Sequence, residues 1–244
     1  MRFSYDLHVH SCLSPCGDAD MTPNNIVHLA SLLGIEILAL TDHNSCGNCA
    51  AAAAVGKKAG VLVVPGMELC TAEEIHVICL MPDCTAAQDF SELVQEHSPY
   101  YANRAEIFGE QLLMDENDEV TGHEDRLLIA ASAIPATAVK RLVEGFGGIC
   151  FPAHIEKDSY SILSVLGGWP EECGFLAAEL QDPAQRDNVF AQFRLPTGLQ
   201  ILSSSDAHYL EQLGSAGGCI ELPERSIPAL FTALRGGVFS QQLA

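Results

Sequence analysis

Histidines and carboxylates with metal-ligating potential recur along the 244 residues. His8 and His10 are two apart, Asp42 precedes His43, and Glu68 follows Pro65-Gly66. His76 lies within Ile75-His76-Val77-Ile78, His154 follows Pro152-Ala153, and Asp206-Ala207-His208 closes the series. Imidazole and carboxylate together are donors for Zn, Mn or Fe, and a set this large exceeds what one ion can use, so two or three divalent ions are expected. Each piece also has an ordinary reading. Two histidines in a strand are commonly surface or core residues, Asp42 or Asn44 could cap a helix, and a lone histidine in an apolar run is more often structural. Joint occurrence argues against the ordinary readings, because six of the nine histidines fall in or just after apolar runs. His28, His97 and His123 do not, and are expected to be structural or exposed.

Those positions need elements to bring them together. Short apolar runs recur at Ile35-Leu40, Val61-Val64, Ile75-Leu80, Ile149-Phe151, Leu176-Ala178 and Leu199-Leu202, several followed by a helix-like segment. Helices are expected from Thr22 to Leu33, with Pro23 in the first turn and Gly34 as the stop, and from Cys46 to Ala59, stopped by Gly60. Strands alternating with helices imply an α/β fold. In a (β/α) barrel the strand ends converge on one face, which would gather the six histidines there. Residues 91–144 read differently: an acidic run, Asp115 to Glu119, separates helical stretches, and a helical insertion in a single domain of residues 1–244 is expected. Glu179 and Gln181 fall at another strand end, where substrate contact and a structural hydrogen bond are both open.

Composition narrows the partners. Hydrophobic residues make up 48% of the chain, enough for a sizeable core. A net charge of −20, with only 12 Lys and Arg, argues against a nucleic-acid surface or an anionic membrane as partner. A small phosphorylated molecule stays compatible if metal ions supply the positive charge. The N-terminal residues lack a signal-peptide pattern, no apolar stretch approaches the length of a membrane span, and ten cysteines suit a reducing compartment. The cytoplasm is the expected location.

In order, His8-x-His10, Thr41-Asp42-His43, Gly66-Met67-Glu68 with His76, Pro152-Ala153-His154 and Ser205-Asp206-Ala207-His208 resemble the PHP family, named for polymerase and histidinol phosphatase. The resemblance spans nearly the whole chain. It implies a distorted (β/α)7 barrel, a di- or trinuclear metal centre and phosphoesterase activity. It further implies that His8, His10, Glu68 and Asp206 hold one ion, that Glu68 bridges to a second held by His76 and His154, and that His43 and His208 serve a third. Family members often supply that third ion with an aspartate soon after the His-x-His motif. Here the stretch from Ser14 to Pro23 is three residues longer. Asp18 is the expected carboxylate, with Asp20 and then Cys16 as substitutes.

The reaction implied is attack on a phosphomonoester or nucleotide by a metal-activated hydroxide. Lys157, three residues after His154, is the candidate substrate-binding cation. His208, His43 and Asp206 are the candidate catalytic residues, with His208 or His43 able to protonate the leaving group. An amidohydrolase reaction is the nearest rival. Another alternative is a non-catalytic sensor or redox module using Cys46-Gly47-Asn48-Cys49, whose place at a helix N-terminus would lower a thiol pKa.

Overall fold

The structure is a computed structural model and describes residues 1–236. Ten strands and eight α-helices follow one another along them. They are β1 (Arg2–Val9), α1 (Pro23–Leu32), β2 (Ile37–Leu40), α2 (Cys49–Ala59), β3 (Leu62–Cys70), β4 (His76–Leu80), α3 (Cys84–Glu96), α4 (Ala105–Phe108), β5 (Leu112–Met114) and β6 (Val120–His123), then α5 (Ala136–Gly145), β7 (Ile149–Pro152), α6 (Ile162–Leu166), β8 (Ala177–Glu179), α7 (Arg186–Phe193), β9 (Gln200–Leu202), β10 (Gly218–Glu221) and α8 (Ile227–Gly236).

Six strands form one sheet in the order β10-β1-β2-β3-β4-β7, and β8 pairs with β9 in parallel. Two backbone links join these sheets: Ile155 N–H donates to the Glu179 carbonyl at 2.9 Å, and His10 N–H to the Ala207 carbonyl at 2.9 Å. The result is a mixed α/β fold on a curled, half-barrel sheet. Strict β/α alternation is not followed. β3 and β4 pair antiparallel, as do β4 and β7, because the five residues between β3 and β4 leave no room for a crossover helix.

The strands sort their side chains by the two-residue period. In β2, Ile37 and Ala39 join an inner cluster with Val64, Ile78, Phe151, Ala177 and Leu202, whereas Leu38 and Leu40 pack outward against the helices. Helix α8 packs Leu230, Phe231 and Leu234 into the inner cluster. In β1 the phase changes. Tyr5 and Leu7 belong to the inner cluster but Val9 to the outer one, and the β1–β2 register shifts between Asp6 and Val9. This irregularity lets a strand whose start fills the core end by presenting His8 and His10 to the site.

Helix α1 starts where expected, with Thr22 Oγ1 accepting the Asn25 N–H and Pro23 in the first turn. Helix α2 begins three residues later than expected, at Cys49, because Asn48 is used elsewhere: its side chain donates to Ser11 Oγ and the Leu112 carbonyl. Residues 91–144 are not a purely helical insertion. Their acidic run is the turn of the β5–β6 hairpin, in which Asp115 Oδ1 accepts the Asn117 and Glu119 N–H groups. Asp and Asn side chains that bond their own backbone favour turns over helix. No helix among the described residues is long and apolar enough to cross a membrane.

Gly66, two residues before Glu68, sits so close to β4 that an added Cβ would lie 2.6 Å from the Cys79 carbonyl oxygen. Gly66→Ala should therefore cost about 1–3 kcal/mol, read as a lowered urea midpoint with an unchanged slope. An unchanged midpoint would mean that the strands part without cost.

Candidate metal centre

One rim of the curled sheet receives the proposed ligand groups other than Asp18. β1 ends on His8-Val9-His10, β2 feeds Thr41-Asp42-His43, Glu68 lies near the end of β3, β7 feeds Ala153-His154, and β9 leads through Ser203-Ser204-Ser205 to Asp206 and His208. His76 reaches the same rim from the other direction: it opens β4, which runs antiparallel to β3, with His76 paired to Cys70. Backbone at two of these positions is left-handed, with φ of 30° at His154 and 53° at Asp206. Non-glycine residues there cost on the order of 1–3 kcal/mol each, and such strain clusters at functional sites.

Glu68 is the hub. It is buried, and five imidazole nitrogens approach its two oxygens: His43 Nδ1 and His76 Nδ1 at 2.9 Å, His154 Nε2 at 3.2 Å, His8 Nε2 at 3.3 Å and His10 Nε2 at 3.4 Å. Asp206 Oδ1 lies 3.2 Å from His8 Nε2 and 3.3 Å from His10 Nε2. A carboxylate offers about four lone-pair directions, so five hydrogen bonds would exceed it. Nor do all five approaches have hydrogen-bond geometry. His43 Nδ1 is buried without a hydrogen-bond partner despite its short distance to Glu68, and the Nε2 atoms of His8 and His10 face each other at 3.1 Å. Ring nitrogens and carboxylate oxygens converging in this number fit cations in the gaps. Three groups have ligand atoms within 4.8 Å of one another: His8, His10 and Glu68; His43, Glu68 and His76; and His10, His43 and His208.

Buried carboxylates behind the histidines fix which nitrogen faces the centre. His8 Nδ1 is 3.0 Å from Glu179 Oε1, so its Nε2 lone pair points at Glu68 and Asp206. His10 Nδ1 donates to Ser14 Oγ at 2.9 Å, and Ser14 in turn donates to Asp42 Oδ1 at 2.7 Å. Asp42 also takes the Ser11 N–H and hydroxyl, and Ser14 Oγ takes the His43 N–H. Neither Asp42 nor Asn44 caps α2. Asn44, with φ of 48°, ties Cys70 N–H to the Leu128 and Ala130 carbonyls.

Electrostatics follow from that packing. Burial works against charge at Glu68, but His76, His8 and His43 outweigh it and hold its carboxyl well below the usual range. Asp206 is lowered in the same way, with His8 as the main opposing influence to its burial. Burial would neutralise His43, yet Glu68 and Cys16 bring it up to about 10. His10 goes the other way and is held well below its ordinary value by burial and by the neighbouring His208. His10 is thus held neutral beside anionic carboxylates, the form in which imidazole binds metal, whereas the same carboxylates raise His8 and His43.

Lys157 Nζ donates to Asp206 Oδ2 at 2.7 Å while its side chain stays 36% exposed, which places it between the centre and solvent. Asp18 does not join the donors. Its carboxylate accepts the Asp20 N–H, and its own N–H donates to the His208 carbonyl. Asp20 is exposed. Cys16 does not fall in the three donor groups either; burial raises its thiol pKa, but the neighbouring His208 and His43 bring it down to about 6. The extra residues of the turn shift the aspartate beyond the cluster.

The Cys46/Cys49 pair lacks the features of a redox site. Both residues are buried, their thiols donate to the Gly66 carbonyl, and burial pushes the Cys46 thiol well up. His28 is exposed on α1, His97 bonds back to the Leu93 carbonyl at the end of α3, and His123 pairs with Glu110 on the surface. Sequence reasoning left Glu179 undecided and passed over Ser14. The available signals were a carboxylate at a strand end and a hydroxyl four residues beyond His10.

Residues 6–155 match the family model described as the PHP domain. The chain belongs to the PHP family. Among PHP relatives, a 5'-3' exoribonuclease of Haemophilus influenzae is 32% identical over 115 residues, covering 46% of this chain and 40% of that protein. Among solved structures, the lesion-specific endonuclease PfuEndoQ from Pyrococcus furiosus superposes over the whole chain and 58% of its own, with a TM-score of 0.70 at 19% identity. Endonuclease Q bound to a 27-mer duplex with an abasic lesion at the active site gives a TM-score of 0.66, 19% identity and the same coverage. The match thus spans about half the length of the exoribonuclease and of the endonuclease.

These relatives correct the expectation that a net charge of −20 rules out nucleic acid as a partner. Net charge sums over the whole surface and does not describe the local field at one cleft, where Lys157 lies beside Asp206.

Glu179 offers a test of the arrangement, since it holds His8 and also accepts the His154 N–H at 3.2 Å. Glu179→Gln should lower metal affinity about 10–100-fold in chelator competition, with circular dichroism unchanged. Wild-type affinity would mean that the strands alone aim these histidines.

Proposed function

We propose that this chain is a metal-dependent phosphoester hydrolase acting on nucleic acid or nucleotides at the Glu68 rim. The observation that carries the reading is the convergence of five imidazole nitrogens and Asp206 around one buried carboxylate, more donors than hydrogen bonding can use. In this reading His8, His10, Glu68 and Asp206 would hold one ion, Glu68 with His76 and His154 a second, and His43 and His208 an outer one. When bound, the ions supply an activated water at neutral pH and neutralise phosphate charge.

The chain's own residues do the remaining work. Glu179 and the Ser14–Asp42 pair keep His8 and His10 aimed inward. Lys157 Nζ, beside Asp206 and partly open to solvent, would hold a non-bridging phosphoryl oxygen. His43 and His208 are assigned to ion binding rather than proton donation, since both point ring nitrogens into one donor group with His10. The His208 side chain is 21% exposed against 7% for His43, so this group is more open to solvent at His208.

Nucleic acid as the substrate class rests on the exoribonuclease and endonuclease relatives, and the acidic surface limits how it is held. Binding should involve one or two phosphates at the rim rather than a long backbone track, so affinity should fall only weakly with salt. Lys157 Nζ donates to Asp206 Oδ2 at 2.7 Å, an ion pair that a carbamylated, anionic lysine would lose, which disfavours a carbamylated-lysine amidohydrolase site.

Purified protein stripped of metal and reloaded with Mn, Zn or Fe would be assayed on 5'-phosphorylated oligonucleotides, nucleotides and an aryl phosphate. Asp206→Asn and His10→Ala should lower turnover on the order of 10³-fold with the fold intact, and Lys157→Ala should mainly raise KM. Full activity in the stripped protein would sink the reading.

A further inference from the structure

The loop that leaves β7 carries more than the His154 ring. His154 Nε2 lies 3.2 Å from Glu68 Oε1, and Lys157 pairs with Asp206 Oδ2 at 2.7 Å. Tyr160, further along the same loop, lays its ring on His76, with centroids 4.7 Å apart and planes 23° from parallel. His76 Nδ1 is in turn 2.9 Å from Glu68 Oε1. One short segment therefore sets a cation on the Asp206 side of the centre and an aromatic ring on the His76 side.

Tyr160 is held firmly in a costly conformation. His76 N–H donates to the Tyr160 carbonyl at 2.9 Å, and the Ser161 hydroxyl donates to the Lys157 carbonyl at 2.6 Å, which fastens the loop around it. Its φ of 56° is left-handed, a region that bulky side chains rarely adopt and that persists where the surroundings enforce it, often at functional sites. A ring placed only to pack gains by being covered, yet 48% of Tyr160 is exposed. Tyr100, another exposed tyrosine, has the Arg126 guanidinium over its ring instead, 5.2 Å from the centroid.

The charge of the chain makes such a ring useful. With 12 Lys and Arg against 32 Asp and Glu, the protein has little positive surface with which to hold the remainder of a nucleotide. Stacking on an aromatic ring needs no charge and accepts any base, since every base has a π-face.

We infer that Tyr160 is the stacking platform for a nucleobase of the substrate, beside the phosphate at the Glu68 rim. This deepens the functional reading above and rests on it. The base lies on the solvent-open side of the ring, so it must be free of its own stack, as in a nucleotide or a single-stranded end.

Three substrates separate this role from a structural one: a 5'-phosphorylated dinucleotide and its two analogues in which one base or the other is replaced by hydrogen. With Mn-loaded wild-type protein, loss of one of the two bases should raise KM about 10-fold or more with kcat little changed, and Tyr160→Ala should raise KM for the intact dinucleotide by a similar factor. On the analogue lacking that base, Tyr160→Ala should leave KM within about 2-fold of wild type, the non-additivity of two partners in one contact. Tyr160→Phe should keep the wild-type KM, because the ring and not the hydroxyl is used, and Tyr100→Ala should change nothing. A Tyr160→Ala variant that loses as much on the analogue as on the intact dinucleotide, or a wild-type KM indifferent to both bases, would overturn the inference and leave a phosphoester hydrolase standing. Absence of metal-dependent hydrolysis on all three substrates would overturn both.

Discussion

A carboxylate buried among imidazoles is the constraint around which the rest of the molecule is arranged. Removing a charge from water costs several kcal/mol even after relaxation, and Glu68 recovers this only if opposite charge surrounds it at short range. The ring nitrogens of His8, His10, His43, His76 and His154 come from four strand termini, β1 supplying two of them, so the sheet must curl until those termini meet. The β1 irregularity, the antiparallel β3–β4 pairing and the left-handed backbones of His154 and Asp206 are local departures that bring ligands to that meeting point. Each costs some regularity. The surrounding core, with its separate inner and outer clusters, supplies the rigidity that sustains them.

A layer of hydrogen bonds converts proximity into chemistry. Imidazole has two nitrogens and one proton when neutral, so a histidine near a metal is useful only if something else takes the proton. Glu179 does this for His8, and the Ser14 hydroxyl, backed by Asp42, does it for His10. Thus the Thr41-Asp42-His43 segment acts twice, through the His43 ring directly and through Asp42 on the neighbouring strand's histidine.

Much of this was legible in the sequence because the ligands obey a positional rule. His8, His10, His43, Glu68, His154, Asp206 and His208 all stand near where an apolar run stops, and such runs mark strands. His76 was found by the same rule although it opens its strand, because an antiparallel neighbour brings a start to the rim where others end. What escaped depended on three-dimensional turns. Asp18 reads as a natural ligand by chemistry alone, and only the closed turn, with its link to the His208 carbonyl, shows that it stays out of the donor groups. Asp115 to Glu119 resembled an acidic stretch between helices, because the backbone contacts that make it a hairpin turn leave no periodic signal. The inference from net charge failed for a different reason, since a sum over the surface carries no information about one cleft.

The β5–β6 hairpin is fastened to the barrel at several points. Asp118 in its turn accepts from the Thr22 hydroxyl and the Asn24 N–H at the start of α1, Met114 N–H donates to the Asn48 side chain ahead of α2, and Leu112 N–H donates to the Cys12 carbonyl. Its attachments thus brace the segment between His10 and α1 as well as the hairpin itself. Anyone grafting a different loop here to alter substrate preference would need to preserve these three moorings, or the exchange would loosen the metal-side turn beneath it. The ribbon is a replaceable surface resting on fixed foundations.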